Sequence, residues 1–272
     1  MSTLLHVTLI QSNIYWEDKK RNVDMWQNKL QSLPNATELV ILPEMFTTGF
    51  SMQTNGLAET MEGPTVQWMK VMAKNQRIIL TGSIIIEEKN YYYNRLIWML
   101  PNGEYAYYDK RHLFFANENK YYTPGQKRLV TSVKGWKILL LICYDLRFPV
   151  WSSQQIQNNA TGKHPEYDAI IYVANWPEAR MLAWRALLQA RAIENQCYVI
   201  GVNRIGEDGN RLYHSGESMV IDPLGAILYC KKHEEDNFSM QLDKEHLNTV
   251  RQSFPFWKDA DMFIRCNSGD VT

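Results

Sequence analysis

The sequence predicts an α/β fold built on mixed β-structure, and three observations carry that prediction. The first 43 residues read strand, helix, strand; a hairpin pattern interrupts this alternation between Tyr92 and Tyr108; and no linker, repeat or low-complexity tract divides the chain. Residues 1–272 are therefore read as one domain, a length that sandwiches and barrels often reach as a single unit.

The opening run Leu4 to Ile10 is apolar and rich in strand formers. A charged stretch follows with apolar residues at Val23, Trp26, Leu30 and Leu33, the spacing of an amphipathic helix, which Pro34-Asn35 stops. Glu38 to Pro43 is a second buried strand, and the βαβ order makes it a neighbour of the first through a right-handed crossover. Gly63-Pro64-Thr65 opens another helix with Val66, Met69 and Ala73 on one face, and Ile78 to Ile86 returns as strand. Tyr92 to Leu100, the turn Pro101-Asn102-Gly103 and Glu104 to Tyr108 form a hairpin, so the sheet is mixed.

Leu129 to Val133 and Trp136 to Cys143 pair around Lys134-Gly135. Ser152 to Pro165 reads as a polar loop, Tyr167 to Ala174 as a strand, Glu178 to Gln196 as a long helix with Met181, Trp184 and Leu188 inward, and Cys197 to Val202 as a strand. A hairpin turns at Asp222-Pro223-Leu224-Gly225 before a short helix near Lys244 to Arg251. Two sheets with helices outside use these elements well, and so does one open sheet; periodicity does not separate them.

Charges balance at 29 against 29, which argues against nucleic acid or a membrane surface as partner. The early run Trp16-Glu17-Asp18-Lys19-Lys20-Arg21 leaves no apolar signal region, and runs such as Ile138 to Cys143 are too short to cross a bilayer. The four cysteines, at 143, 197, 230 and 266, include no CxxC pair and no disulfide framework, so a reducing cytoplasm is the expected compartment. No histidine or cysteine cluster has metal-ligand spacing, and GxSxG, Walker A and GxGxxG patterns are absent, so neither metal nor cofactor is expected.

Three polar residues stand where an apolar strand stops: Glu44, Lys110 and Cys143. Strand ends are where α/β sheets collect reacting groups. A thiol needs a base or a nearby cation to become an effective nucleophile at neutral pH. Glu44 can take the proton and Lys110 can stabilise first thiolate, then oxyanion. The structural alternatives are a buried core cysteine and a solvated Lys110-Arg111 turn, whereas a carboxylate directly after Val40-Ile41-Leu42-Pro43 needs a partner if buried. His112 and His214 are available for a cysteine–histidine pair, and a thiol redox role would require Cys197 to meet Cys143.

These residues and their surroundings resemble the nitrilase (carbon–nitrogen hydrolase) superfamily. Its motifs stand here as Leu42-Pro43-Glu44-Met45-Phe46, Asp109-Lys110-Arg111-His112-Leu113-Phe114 and Cys143-Tyr144-Asp145-Leu146-Arg147-Phe148-Pro149, in the family's order and spacing. The likeness continues through Ala190 to Gln196, Gly201 to Arg204 and Ser218 to Pro223. It implies a four-layer α-β-β-α sandwich with two mixed sheets, with Glu44 as general base, Lys110 as oxyanion stabiliser and Cys143 as nucleophile. It also implies a further acid ahead of a Pro-Gly; Glu118, upstream of Thr123-Pro124-Gly125, fits, with an exposed loop glutamate as the alternative. The segments Phe46 to Met52, Asn175-Trp176-Pro177 and Phe254 to Asp261 look most like the YafV-type omega-amidases, a group linked to 2-oxoglutaramate and 2-oxosuccinamate.

The implied reaction is ping-pong acyl transfer on a small amide through a thioester on Cys143, with the backbone N–H of Tyr144 as second oxyanion donor. The turn at Cys143-Tyr144-Asp145 would expose the sulfur. Nitrile or carbamoyl hydrolysis by the same residues, and a silent binding protein on the same fold, are the rival readings. Arg180, after Asn175-Trp176-Pro177, is expected to receive the substrate's carboxylate, with Trp176 as an apolar wall; Arg147 is the competing cation, assigned instead to a structural pairing with a carboxylate. The resemblance further implies a homodimer.

Overall fold

The computed structural model describes residues 3–159 and 162–261. Two large mixed sheets stack face to face between helices. The first runs in the order Asp236–Asp243, Leu4–Gln11, Leu39–Ile41, Ile79–Glu88, Tyr91–Met99, Tyr105–Asp109. The second runs Ile205–Glu207, Tyr213–Ile221, Tyr198–Asn203, Ala169–Ala174, Trp136–Ile142, Leu129–Val133, with Ile227–Lys232 also paired to Tyr213–Ile221.

Strand periodicity builds the layers. Leu5, Val7, Leu9, Leu39 and Ile41 point between the sheets, into the same core as Ile138 to Ile142 and Ile170 to Val173. Their neighbours Ile10, Val40 and Leu42 point the other way, onto Trp26 and Leu30 of helix Lys19–Gln31 and Val66, Met69 and Ala73 of helix Pro64–Gln76. Helix Met181–Asn195 covers the outer face of the second sheet, with Trp184 and Leu188 against Gly201. Each fully buried aliphatic or aromatic side chain stabilises this stack by about 1.5–3 kcal/mol.

The strand directions gather the site. Leu39–Ile41 and Ile79–Glu88 are parallel, and two antiparallel steps from there make Tyr105–Asp109 run the same way again. Trp136–Ile142 and Ala169–Ala174 are parallel in the other sheet. Glu44 and Lys110 thus leave one end of the first sheet, and Cys143 and Asn175 leave one end of the second.

Helix Lys19–Gln31 also serves the site. Asp18 caps it by accepting from the Arg21 N–H, and its inward row is Asn22, Trp26 and Leu30, with Val23 only half-buried. Asn22 donates to the Thr47 carbonyl (2.7 Å) and Trp26 Nε1 to the Phe46 carbonyl (2.8 Å), so this helix holds the loop that follows Glu44.

Three expectations change. The stretch read as a polar loop contains a two-stranded ribbon, Ile156–Asn159 with Gly162–Pro165. The helix expected from Glu178 starts as a 3-10 turn over Glu178–Arg180 and becomes α-helical only from Met181. Asp236–Asp243, assigned no element from the sequence, pairs antiparallel along all of Leu4–Gln11 as the edge of the first sheet. Among the described residues no helix is long and apolar enough to cross a membrane.

Candidate active site

Glu44 sits in a tight turn braced by its neighbour strand. Met45, at φ 44°, donates its N–H to Ser83 Oγ (2.8 Å), and Phe46 N–H donates to the Ser83 carbonyl (3.1 Å). The Glu44 carboxylate is fully buried and fully engaged. Oε1 accepts from Lys110 Nζ and from Asn94 Nδ2, each at 2.8 Å, and Oε2 accepts from the Asn175 backbone N–H at 2.8 Å. Asn175 Nδ2 returns a bond to the Glu44 carbonyl (2.6 Å), so the acid is tied directly to the second sheet.

Lys110 follows strand Tyr105–Asp109 and points inward, 1% exposed. Its ammonium donates to Glu44 and to both oxygens of Glu118 (3.1 and 2.9 Å) and lies 5.0 Å from the Phe50 ring centre. Burial alone would depress its pKa, but the carboxylates of Glu118 and Glu44 outweigh burial and hold it well above the ordinary lysine range. It therefore remains an ammonium at every physiological pH. Glu118 is fully buried, not an exposed loop residue; Phe114 N–H (2.6 Å) and Asn94 Nδ2 (3.3 Å) complete its contacts. Burial raises its pKa, against the opposing pull of Lys110. The Pro-Gly downstream has a steric reason, because a Cβ on Gly125 would stand 2.0 Å from the Asp109 carbonyl oxygen.

Cys143 begins a 3-10 turn over Cys143–Arg147 and carries φ 43°, the left-handed conformation that marks strained functional turns. Only 9% exposed, its sulfur opens to a pocket and not to bulk solvent, and the Asn175 carbonyl is 4.0 Å away. Burial, then the neighbouring Glu44 charge, push the thiol well above its ordinary pKa, with Lys110 pulling it back. The resting sulfur is thus a thiol beside a carboxylate, which needs a base at the moment of attack.

Asp145 organises this turn. Its Oδ2 accepts from the Ile142 N–H (3.0 Å) and Tyr108 Oη (2.7 Å), and its Oδ1 accepts from the His112 N–H (3.0 Å) and ring Nδ1 (2.8 Å). From the covering helix, buried Arg191 donates to the Leu146 carbonyl (2.7 Å).

The pocket above Cys143 is lined by Phe50, Lys110, Phe114, Tyr144, Arg147, Asn175, Trp176, Pro177, Arg180, Asp208, Leu212 and His214. All three residues expected at the substrate, Tyr144, Trp176 and Arg180, line it. Trp176 donates from Nε1 to the Arg180 carbonyl (2.9 Å), and the exposed Arg180 guanidinium lies 5.1 Å from the Phe114 ring centre. Arg147 departs from expectation. Among the described residues no carboxylate pairs with it; its guanidinium lies over the Trp176 ring at 5.0 Å and lines the pocket, because the 3-10 turn rotates the residue four after Cys143 toward the pocket mouth.

His112 is bonded to Asp145, and His214 to the Gly206 carbonyl (3.2 Å), so each ring meets a partner other than the thiol. Cys143 and Cys197 are both free, and Cys197 lies against the Arg191 carbonyl; Cys266 lies outside the described residues.

Sequence reasoning passed over Asn94, Asn175 and Asp145. Asn94 carried a usable signal, since Asn94-Arg95 interrupts the otherwise apolar and aromatic run Tyr91–Met99; a buried polar residue in a strand needs a partner. Asn175 and Asp145 act through contacts across the fold that spacing does not reveal.

Comparison with known proteins agrees with this geometry. Residues 6–252 match the carbon-nitrogen hydrolase family. The chain is 39% identical over 261 residues to the omega-amidase YafV of Escherichia coli, covering 95% of this chain and 98% of that one. It is 29% identical over 257 residues to a 2-oxoglutaramate amidase of Bacillus subtilis, covering 93% and 96% respectively. A crystal structure of a CN-hydrolase superfamily protein from Xanthomonas campestris, with an arsenic adduct in its active site, superposes with a TM-score of 0.94 at 41% identity, covering 98% of this chain and all of that one. With this match spanning both sheets and every strand end that carries a site residue, the chain belongs to the carbon-nitrogen hydrolase family.

Proposed function

We propose that the protein is a thiol-dependent omega-amidase that releases ammonia from 2-oxoglutaramate or 2-oxosuccinamate. The observation that carries this reading is the joining of Glu44, Lys110 and Glu118 into one dry hydrogen-bonded group beside Cys143, under a pocket that also holds two arginines with no carboxylate partner among the described residues. The names of the E. coli and B. subtilis relatives point to the same substrates.

In this reading Glu44 takes the Cys143 proton as sulfur attacks the amide carbon. Lys110 and the Tyr144 N–H hold the oxyanion; Glu118 keeps Lys110 aimed. Glu44 then returns the proton to the departing nitrogen, ammonia leaves, and a thioester remains on Cys143. Water enters, Glu44 accepts its proton, and the acid is released with the thiol restored. A general base is needed because burial keeps the resting sulfur protonated. Arg180, with Arg147 beside it, receives the substrate's carboxylate, and Trp176 walls the acyl chain. We assign the enzyme to the cytoplasm as a homodimer acting on this small molecule alone.

Ammonia release across 2-oxoglutaramate, 2-oxosuccinamate, glutamine, N-carbamoyl amino acids and simple nitriles tests the proposal. The 2-oxo acid amides should give the highest kcat/KM. A nitrile or carbamoyl compound turned over faster would transfer the same residues to a different substrate class.

A further inference from the structure

We infer that His112 is a positioning residue, which fixes the nucleophile turn relative to Lys110 by clamping the carboxylate of Asp145. The inference rests on the reading of Cys143 as the nucleophile and goes beyond it, because His112 touches neither the sulfur nor the pocket lining.

Four donors converge on Asp145. This carboxylate is fully buried, and each of its oxygens receives two hydrogen bonds. Three donors come from rigid surroundings: the N–H of Ile142 at the strand end, the N–H of His112, and the hydroxyl of Tyr108, itself bonded by Trp151 Nε1 (2.9 Å) and the Arg111 N–H (3.1 Å). The fourth is the His112 ring. A carboxylate accepts, so Nδ1 carries the proton, and the bond is 2.8 Å. Phe148, which closes the nucleophile turn, stacks on that ring at 3.8 Å between centres and 9° between planes. His112 therefore grips the turn twice, through Asp145 and through Phe148. Its own backbone lies two residues beyond Lys110.

The consequence concerns the two oxyanion donors. Lys110 belongs to the first sheet and the Tyr144 N–H to a turn leaving the second. Their separation must match one oxygen atom, and errors near 1 Å cost on the order of a hundredfold in rate. Asp145 is the acid that receives bonds from both segments, and the His112 ring is its one donor with some access to solvent, 23% exposed at the side chain. Loss of the ring N–H leaves Oδ1 one donor short and lets the turn shift against Lys110. Transition-state stabilisation then falls, while ground-state binding at the pocket mouth does not.

Two variants separate this role from simple packing. His112→Phe keeps a flat ring for Phe148 and removes the donor; His112→Asn places an amide N–H where Nδ1 stood. The probe is p-nitrophenyl acetate, whose ester carbonyl is attacked by the Cys143 sulfur: the C–S bond forms, the thiol proton passes to Glu44, and p-nitrophenolate leaves. This reads oxyanion stabilisation whatever the natural amide, while ammonia release measured alongside reads the omega-amidase proposal separately. His112→Phe should slow the acylation burst on the order of ten- to a hundredfold with KM held within about twofold, and His112→Asn should recover most of that loss. Should His112→Phe fail to fold, His112→Gln takes its place, since its longer side chain moves the amide away from the position of Nδ1, with the same rate-selective loss expected. If deacylation keeps pace and no burst develops, steady-state p-nitrophenolate release reports acylation and is compared in the same way; unchanged rates in the folded variants, a loss carried by KM, or no rescue by asparagine would each overturn the inference.

Discussion

The two halves of the site are built in opposite ways. Around Glu44, Lys110 and Glu118 the protein is dry, and both carboxylates and the ammonium meet charged or amide partners at 2.6–3.3 Å. At the pocket mouth the Arg147 and Arg180 guanidinium groups lie over the rings of Trp176 and Phe114, at 5.0 and 5.1 Å. Every charged group of this buried network is hydrogen-bonded, although the side-chain oxygens of Asn94 and Asn175 have no partner among the described residues; so many bonds restrict the geometry, which suits groups that must meet a transition state. Cation–aromatic contacts hold a guanidinium loosely and leave its N–H groups available to an incoming anion. On the proposed mechanism the reacting groups are preorganised and the cations that meet the substrate's carboxylate are adaptable.

Breaking the dry half should have the largest effects. Cys143→Ala is expected to abolish amide turnover, with a melting temperature close to wild type because the lost atom is small and Glu44 keeps Lys110, Asn94 and Asn175 as partners; ammonia release and a thermal melt measure both. Glu44→Gln and Lys110→Ala should each lower kcat by about 10²–10⁴-fold, as single general bases and oxyanion donors do. They should differ in stability. Lys110→Ala leaves two buried carboxylates facing each other without a cation, a loss of about 3–5 kcal/mol by comparison with other broken buried pairs, and urea unfolding will register it. If kcat survives either change and only KM rises, the residue merely binds substrate.

Much of the dry half is legible in the sequence. ELVILP, YAYYD and ILLLI are apolar or aromatic runs that stop at Glu44, Lys110 and Cys143, and a strand that ends on an ionisable residue delivers it to the sheet's edge. The mouth is less legible. Arg147 was assigned a carboxylate by its place in the motif, but its direction is set by a left-handed Cys143 and the 3-10 turn that follows, which no periodicity encodes. Asp236–Asp243 escaped for a different reason. Phe238, Met240 and Leu242 alternate with Asn237, Ser239 and Gln241, the period of a half-buried strand, but the run is short and flanked by charge, and its pairing with Leu4–Gln11 joins the two ends of the chain, which local pattern does not reveal.

Perturbing the mouth should give smaller and substrate-selective effects. Arg180→Ala and Arg147→Ala are each expected to reduce kcat/KM on a 2-oxo acid amide by about tenfold, the scale of one charge-assisted hydrogen bond, while an uncharged amide of similar length loses little. Steady-state kinetics on the two substrates decide; equal losses on both would remove these arginines from anion recognition.

The last effect is read in stability and concerns His214, which lines the pocket. His214 is buried beside Arg204, and burial, then that charge, lower its pKa to about 4 from an ordinary 6.5. Between these values the unfolded chain takes up a proton that the folded protein refuses, so stability falls as pH drops from about 6.5 towards 4 and levels below that. The loss from this residue is about 2–3 kcal/mol at pH 4.5. Urea midpoints at pH 7 and 4.5 should therefore lie closer together in His214→Gln than in the wild type.

The most direct measurement of the central claim is the mass of the protein during turnover. Acid quenching of the wild-type enzyme with excess 2-oxoglutaramate, followed by peptide mapping, should recover the substrate's acyl group, less ammonia, as a thioester on the peptide containing Cys143. Glu44→Gln, slowed in the first step, should show far less of it. Full ammonia release with an unmodified Cys143 peptide, or an acyl group carried by another residue, would contradict the account.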